Sequence, residues 1–332
     1  MLELRRGTVV EAGDGLVVEV AGERRPAWAD EGLVGRCEVG DEVVVNVQAR
    51  DLSLGSGGFD VVHVNLTRGL AGEGVDGAHV MKLNYSPLQH AVLPIEEGDE
   101  DRRGGGGVVG VFFLHGQLAP ICWALGRAAP GVRVGYVQTA GGALPGGLSE
   151  VVRELREREL LAAHVTAGPA YGGEGESITT AAAVDHGLHD GRWDVALCGP
   201  GPGILGSASR LGHGGLAALD SAHAALALGH RVLLVPRMSA GDPRERHRGV
   251  SHHARTVLEL LLAPAIVALP EGERPPPEAE RHELRSAAAD LDGYRASGLP
   301  ARTMGRDLEE DPVFFAAALA GGRVLADMIK RV

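Results

Sequence analysis

The chain has 332 residues, 23% of them charged and 44% hydrophobic, the proportions of a globular protein with core enough for one large domain or two. Its formal net charge of −12 disfavours general binding to nucleic acid or to an anionic membrane, so a local basic cluster on this acidic body points to a specific anion site. The three cysteines, Cys37, Cys122 and Cys198, lack any close spacing, and Cys122 and Cys198 lie in apolar runs that read as buried thiols. The opening MLELRRGTVV has no signal-peptide core, and no apolar run is expected to span a bilayer, so the expected location is cytoplasmic.

In chain order, short strands are expected at Thr8–Val10, Leu16–Val20, Glu42–Val47 and Phe59–Asn65, where alternation and Gly-Asp punctuation suggest a small antiparallel barrel. His79–Tyr85 and Gln89–Ile95, joined by Ser86-Pro87, read as a hairpin or arm. Glu96–Gly107 mixes charge with glycine and reads as a flexible connection or a solvated hairpin tip.

From Val108 onward, apolar strands alternate with helices. Strands are expected at Val108–Leu114, Val132–Gln138, Leu160–Thr166, Asp194–Gly199, Val232–Pro236 and Ala265–Pro270. The intervening helices fall at Leu118–Ala129, Leu148–Glu159, Glu176–His186, Leu216–Leu228, Ser251–Leu262 and Glu278–Ala289, with a last one at Pro312–Ile329. The fold class is therefore α/β: a doubly wound, mostly parallel sheet preceded by a small N-terminal β-barrel-like domain, divided as residues 1–70, 71–107 and 108–332. In such sheets ligands bind outside the carboxyl ends of the strands, and the unusual loops of this sequence all follow strands.

The densest of them is Pro236–Arg255, PRMSAGDPRERHRGVSHHAR, with five arginines and three histidines. Arg237, Arg244, Arg246 and Arg248 suit a phosphate or carboxylate, since crowded cations are costly unless something anionic or metallic sits among them. Ser251 is placed to cap the next helix, which would keep the following His252 and His253 neutral at its positive end. His247 or His252 is the candidate acid/base. A metal is the weaker option, because adjacent helical residues point about 100° apart, and no metal ligand is assigned.

Fifty glycines, about twice the usual share, cluster at Gly55–Gly58, Gly104–Gly107, Gly141–Gly147, Gly172–Gly175 and Gly199–Gly215. Gly201, Gly203 and Gly206 satisfy G-x-G-x-x-G after a strand, but Pro202 and the late glycines argue against a dinucleotide turn. A loop holding a smaller anion and a tight structural crossing are both open. Glu174 and Glu176 are expected at a helix start, where they compensate the dipole or supply a base or metal ligand facing the arginine loop. His115, just after the first parallel strand, aims at the crevice. Ser149 is a helix cap, with Thr139 and its glycine neighbours as a possible oxyanion cradle. Walker A, G-x-S-x-G, C-x-x-C and H-E-x-x-H motifs are missing.

The segments VGYVQTAGGALPGGLS, TAGPAYGGEGES, GPGPGILGSASRLGHGG and PRMSAGDPRERHRGVSHHARTVL, with GDEVVVN and LSLGSGGFD near the start, together resemble the bacterial family catalogued as domain of unknown function 3866. The resemblance spans nearly the whole chain and implies family membership. It carries over no activity, substrate, cofactor or catalytic residue.

Three functions follow from the residues. The first is binding of a small anionic, phosphorylated or nucleotide-like ligand at the strand ends, with Arg237, Arg244, Arg246, Arg248 and the Gly201–Gly206 backbone as its cradle. The second is a non-enzymatic module forming a homodimer through the same loop. The third is a metal-dependent hydrolase resting on His115, His247, His252 and Glu176. No nucleic-acid or membrane partner is expected.

Overall fold

The structure is a computed structural model, and it describes residues 2–13, 15–52, 58–72, 74–98, 105–207 and 209–330. The Gly55–Gly58 cluster and the Glu96–Gly107 connection fall in part outside the described residues. The chain divides into two compact units, Met1–Leu93 and Pro94–Val332.

The first unit holds strands β1 (Leu4–Glu11), β2 (Leu16–Val20), β3 (Glu23–Trp28), β4 (Glu42–Asn46) and β5 (Asp60–Asn65), with single-turn helices α1 (Glu31–Val34) and α2 (Gln48–Asp51). They close a barrel in the order β1-β2-β3-β5-β4. Four of its pairings are antiparallel, and β3 meets β5 in parallel. An odd number of strands cannot alternate direction all the way round a ring, so one parallel seam is obligatory. Inward valines, among them Val9, Val18, Val43, Val45 and Val62, fill the interior.

Sequence patterning does not pick out β3, because ERRPAW lacks an apolar alternation. Its place is fixed instead by Arg25, whose Nε and Nη2 donate to the buried Asp60 carboxylate at 2.5 and 3.1 Å across the seam. Strands β6 (Val80–Lys82) and β7 (His90–Val92) pair antiparallel as the expected hairpin, within this unit.

In the second unit, eight parallel strands run β8 (Val108–Phe112), β9 (Val134–Thr139), β10 (Ala163–Ala167), β11 (Gly175–Ser177), β12 (Val195–Pro200), β13 (Arg231–Val235), β16 (Ile266–Pro270) and β17 (Glu283–Ala287). A two-residue ladder between β13 and β16 supplies β14 (Met238–Ser239) and β15 (Gly249–Val250). The sheet order is β11-β10-β9-β12-β8-β13-β16-β17. Period-two alternation sends Val108 and Phe112 to one face and Val109 and Val111 to the other, so the strands are apolar on both sides.

Helices α3 (Leu118–Ala128), α4 (Glu150–Glu157), α8 (Leu291–Ala296) and α9 (Pro312–Ile329) cover the first face. Helices α5 (Thr180–His189), α6 (Ala217–Ala227) and α7 (His252–Leu260) cover the second. The sheet is thus doubly wound.

Three expectations change. The segment 278–289 is rich in helix formers, yet Glu283–Ala287 pairs with β16 as an edge strand. The open edge of β16 outweighs local propensity, and the Glu283 and Arg285 side chains keep the new edge charged. Helix α5 starts only at Thr180, capped by Thr179, because Gly175–Ser177 first pairs with β10. Lastly, α9 is 18 residues long with mean hydropathy 1.5, apolar enough by length and composition to cross a membrane, and 67% of it is buried within the protein. Its apolarity is that of a core helix packed along α3 and β16.

The buried Trp193 indole lies flat against two backbones. A Cβ on Gly135 would stand 2.0 Å from its Cδ2, and one on Gly187 would stand 2.2 Å from its Cε3. Gly135→Ala is therefore expected to lower unfolding stability by about 1–3 kcal/mol, the usual cost of overpacking. Urea denaturation checks this, and an unchanged midpoint would contradict the packing.

Candidate functional site

Strand β13 delivers Pro236 and Arg237 to the carboxyl edge of the sheet, and the β14–β15 ladder brings the chain back so that Ser251 N donates to Arg237 O at 2.9 Å. Residues 240–248 are thus a closed excursion that returns His252 and His253 to a position over Arg237. The excursion is held from inside. Asp311, just before α9, accepts from Ser239 Oγ at 2.5 Å and from the Ala240 and Gly241 N–H groups at 2.8 and 3.2 Å.

Asp242 is fully buried and gathers three guanidinium groups. Arg237 donates at 3.1 Å, Arg244 at 2.9 Å from both Nε and Nη2, and Arg306 at 3.3 Å. Arg306 also bonds Asp311 at 3.1 Å. Burial raises the Asp242 carboxyl, but its hydrogen bonds and ion pairs with Arg244, and then Arg237, win and hold it well below the usual range. Burial brings Arg237 down to about 10, with Asp242 opposing.

Much of the crowded positive charge is therefore balanced by the chain's own carboxylates, including Arg255 on Glu278 at 2.8 Å. Arg246 and Arg248 lie on the exposed side of the loop, and Arg248 Nε donates to the Asp242 carbonyl at 3.1 Å.

Four imidazoles meet beside this knot. His247, in a single 3₁₀ turn, has Nδ1 2.8 Å from Ser251 Oγ, and Ser251 caps α7 by accepting from His253 N at 3.3 Å. The ring centroids of His252 and His253 are 4.4 Å apart, and those of His247 are 4.8 and 5.0 Å from them. His213 arrives from the glycine loop after β12 and stacks on His253 at 3.8 Å. Gly215 makes this approach possible, since a Cβ there would stand 3.1 and 3.3 Å from the Nδ1 atoms of His213 and His253.

One nitrogen each of His213, His252 and His253 falls within 4.8 Å of the others. The angular offset of neighbouring helical residues therefore does not separate His252 from His253, once a third ring closes the group. The Nε2 of His252 and both ring nitrogens of His213 are buried with no partner in hydrogen-bond geometry, the Arg210 backbone acting on His213 from outside that geometry.

All four rings are held neutral. Burial is the largest cause, taking His247 to about 3, His252 to about 4 and His253 to about 2, with neighbouring rings and Arg237 adding to it. His213 is also lowered by burial, against a partial pull upward from the Arg210 backbone.

The structure thus brings together His247, His252, Arg237 and Arg244 from the predicted residues, with Arg246 and Arg248 on the same loop. It places two others elsewhere. Glu176 is on β11, five strand spacings from β13, or about 24 Å. There it accepts from Thr166 Oγ1 at 2.8 Å and Gly172 N at 2.5 Å, so it does not face the arginine loop and does not start a helix. Glu174 accepts from Arg156 Nε at 2.6 Å. His115 belongs to a separate group with Ser149 and Tyr136.

Gly201, Gly203 and Gly206 form a tight crossing. Ala143 N donates to Pro202 O at 2.6 Å and Leu205 N to Gly141 O at 3.1 Å, while a Cβ on Gly142 would stand 2.2 Å from Gly201 O. Helix α6 starts only at Ala217, so no helix N-terminus follows the turn as a dinucleotide site requires. His213 is the residue that sequence reasoning passes over as a ligand, while His253 is weighed beside His252 there and left unassigned. The available signal was the convergence of strand-end loops, which needed the order β12-β8-β13 to become specific.

Removing the Asp242 charge by Asp242→Asn should cost about 3 kcal/mol at pH 7, because it leaves the buried Arg237 guanidinium uncompensated. A carboxyl held below its unfolded value stabilises the fold fully above that value and loses the effect as pH falls through the folded one. The native-minus-variant difference in urea unfolding should therefore stay level above about pH 5 and shrink by about 1.4 kcal/mol per unit below about pH 4. A pH-independent difference would contradict the ionised knot.

Residues 26–322 match the model of the family described as a protein of unknown function, DUF3866. Neither a curated protein nor a solved structure gives a significant match. With most of its length matched, from within β3 through most of α9, the chain belongs to the DUF3866 family.

Proposed function

We propose that this protein is a metal-dependent hydrolase acting on a small anionic substrate, with His213, His252 and His253 as ligands of one divalent ion. The observation that carries the reading is the convergence of three ring nitrogens within 4.8 Å, two of the rings having buried nitrogens with no partner in hydrogen-bond geometry. A buried, unpaired polar atom is costly, and an ion would satisfy several at once. To hold an ion at Zn–N distances of about 2.0–2.1 Å, the three nitrogens would have to close further than they stand here.

Three histidine ligands leave a fourth position for water, the arrangement of catalytic rather than structural zinc. A ligand set without carboxylates leaves the ion its full charge, and Arg237 beside it shares the one Asp242 carboxylate with Arg244 and Arg306. An anionic substrate is what such a site lacks, and Arg246 and Arg248 put positive potential on the loop's outer side. His247, oriented by Ser251, stands within reach as the acid/base. A phosphorylated or nucleotide-like compound fits this charge pattern.

Tag-free protein stripped of metal and titrated with Co²⁺ or Zn²⁺ should bind one equivalent at micromolar or tighter affinity. His213→Ala and His253→Ala should each weaken this by at least about 100-fold. The Zn²⁺ form should hydrolyse a generic phosphomonoester such as p-nitrophenyl phosphate, and a chelator should abolish the turnover. Binding unaffected by both substitutions, or a metal-loaded protein inert toward every phosphate and carboxylate ester offered, would overturn the reading.

A further inference from the structure

A second group at the carboxyl edge has a different chemistry. His115 follows β8, Ser149 is the residue before α4, and Pro200 ends β12. His115 Nε2 lies 2.6 Å from Ser149 Oγ, and its Nδ1 lies 3.2 Å from the Pro200 carbonyl oxygen. A carbonyl can only accept, so Nδ1 carries the ring proton and Nε2 presents its lone pair. The Ser149 hydroxyl must then donate to the imidazole. At the same time Ser149 Oγ accepts from Val152 N at 3.1 Å, as the cap of α4. Tyr136 Oη donates to the same Pro200 oxygen at 3.0 Å, which fixes the acceptor that orients the ring.

As a buried cap, the Ser149 hydroxyl accepts from Val152 N and still has its own proton to place, and here it places it on an imidazole nitrogen. What the three residues reproduce is a nucleophile whose proton rests on a base, with the base oriented by a third group. Burial keeps the His115 ring neutral at physiological pH. The helix N-terminus favours negative charge developing on Ser149 Oγ. The position also fits: the connection after β9 leaves through α4 on one face, and the one after β12 leaves through α6 on the other. Ser149 and Pro200 therefore border a topological switch point, where open parallel sheets bind ligands.

We infer that Ser149 is a nucleophile activated by His115, forming an acyl-enzyme with a carboxylic ester at a site separate from the three-histidine group. Ser149 Oγ bonds the carbonyl carbon while its proton moves to His115 Nε2. The tetrahedral oxyanion takes the Glu150 N–H, next in the chain, as a donor. The ester C–O bond then breaks, and the leaving alcohol takes the proton from His115. Water, deprotonated by His115, releases the acid and restores the serine.

The probe is a fluorophosphonate, which loses fluoride as its phosphorus bonds an activated serine. Native protein should be labelled at one site, found by peptide mass spectrometry at Ser149, and equally so with a chelator present. Insensitivity to chelator separates this proposal from the metal reading. His115→Gln should slow labelling at least about 100-fold, the usual contribution of a general base. Ser149→Asn keeps a capping side chain and should abolish labelling without loss of fold. Native protein unlabelled at Ser149 after hours in excess probe would overturn the proposal, as would labelling of His115→Gln at the native rate.

Discussion

The second unit's carboxyl edge depends on one buried carboxylate. Asp242 has no exposure and holds Arg237, Arg244 and Arg306, while Asp311 ties Arg306 and the loop backbone to the start of α9. An ion pair this deep is not favourable for its own sake, since desolvation offsets most of the attraction. Its effect is positional. With Asp242 and Asp311 in place, the excursion after β13 has a fixed shape, Ser251 caps α7, and His247, His252 and His253 return over Arg237.

Topology adds the rest. The connections after β8 and β13 leave toward opposite edges and faces, and so do those after β9 and β12. Each divergence opens a crevice between loops. The histidine group follows β13 and recruits His213 from the loop after β12. The His115–Ser149 pair borders the crevice between β9 and β12. The glycines after these strands permit the loops to cross at backbone distance, as at Gly141 and Gly214. Their abundance thus reflects packing of loops on loops more than cradling of phosphate.

The parallel sheet was legible because strands buried on both faces must be continuously apolar, and VVGVFF, VALCG and VLLVP are. The last helix was placed to the residue by its apolar length. Legibility failed where tertiary pairing overrode local preference. ELRSA is made of helix formers and serves as an edge strand, and ERRPAW hides a strand fixed by the Arg25–Asp60 contact. The arginine loop stands out in the sequence by its cation density, and that density asks for something anionic or metallic among the arginines without saying whether the chain itself supplies it. The balancing Asp242 lay in plain view inside GDPRERHRG, and Asp311 lay 69 residues further on. His213 was hidden for the same reason, 39 residues before the histidines it joins.

The central claim is that the imidazoles gathered by this loop form a metal site. X-ray absorption spectroscopy at the zinc edge, on protein loaded with one equivalent of Zn²⁺, tests it most directly. The account predicts at least three nitrogen scatterers at about 2.0–2.1 Å with the outer-shell pattern of imidazole rings. A first shell of oxygen alone, without imidazole scattering, would contradict it.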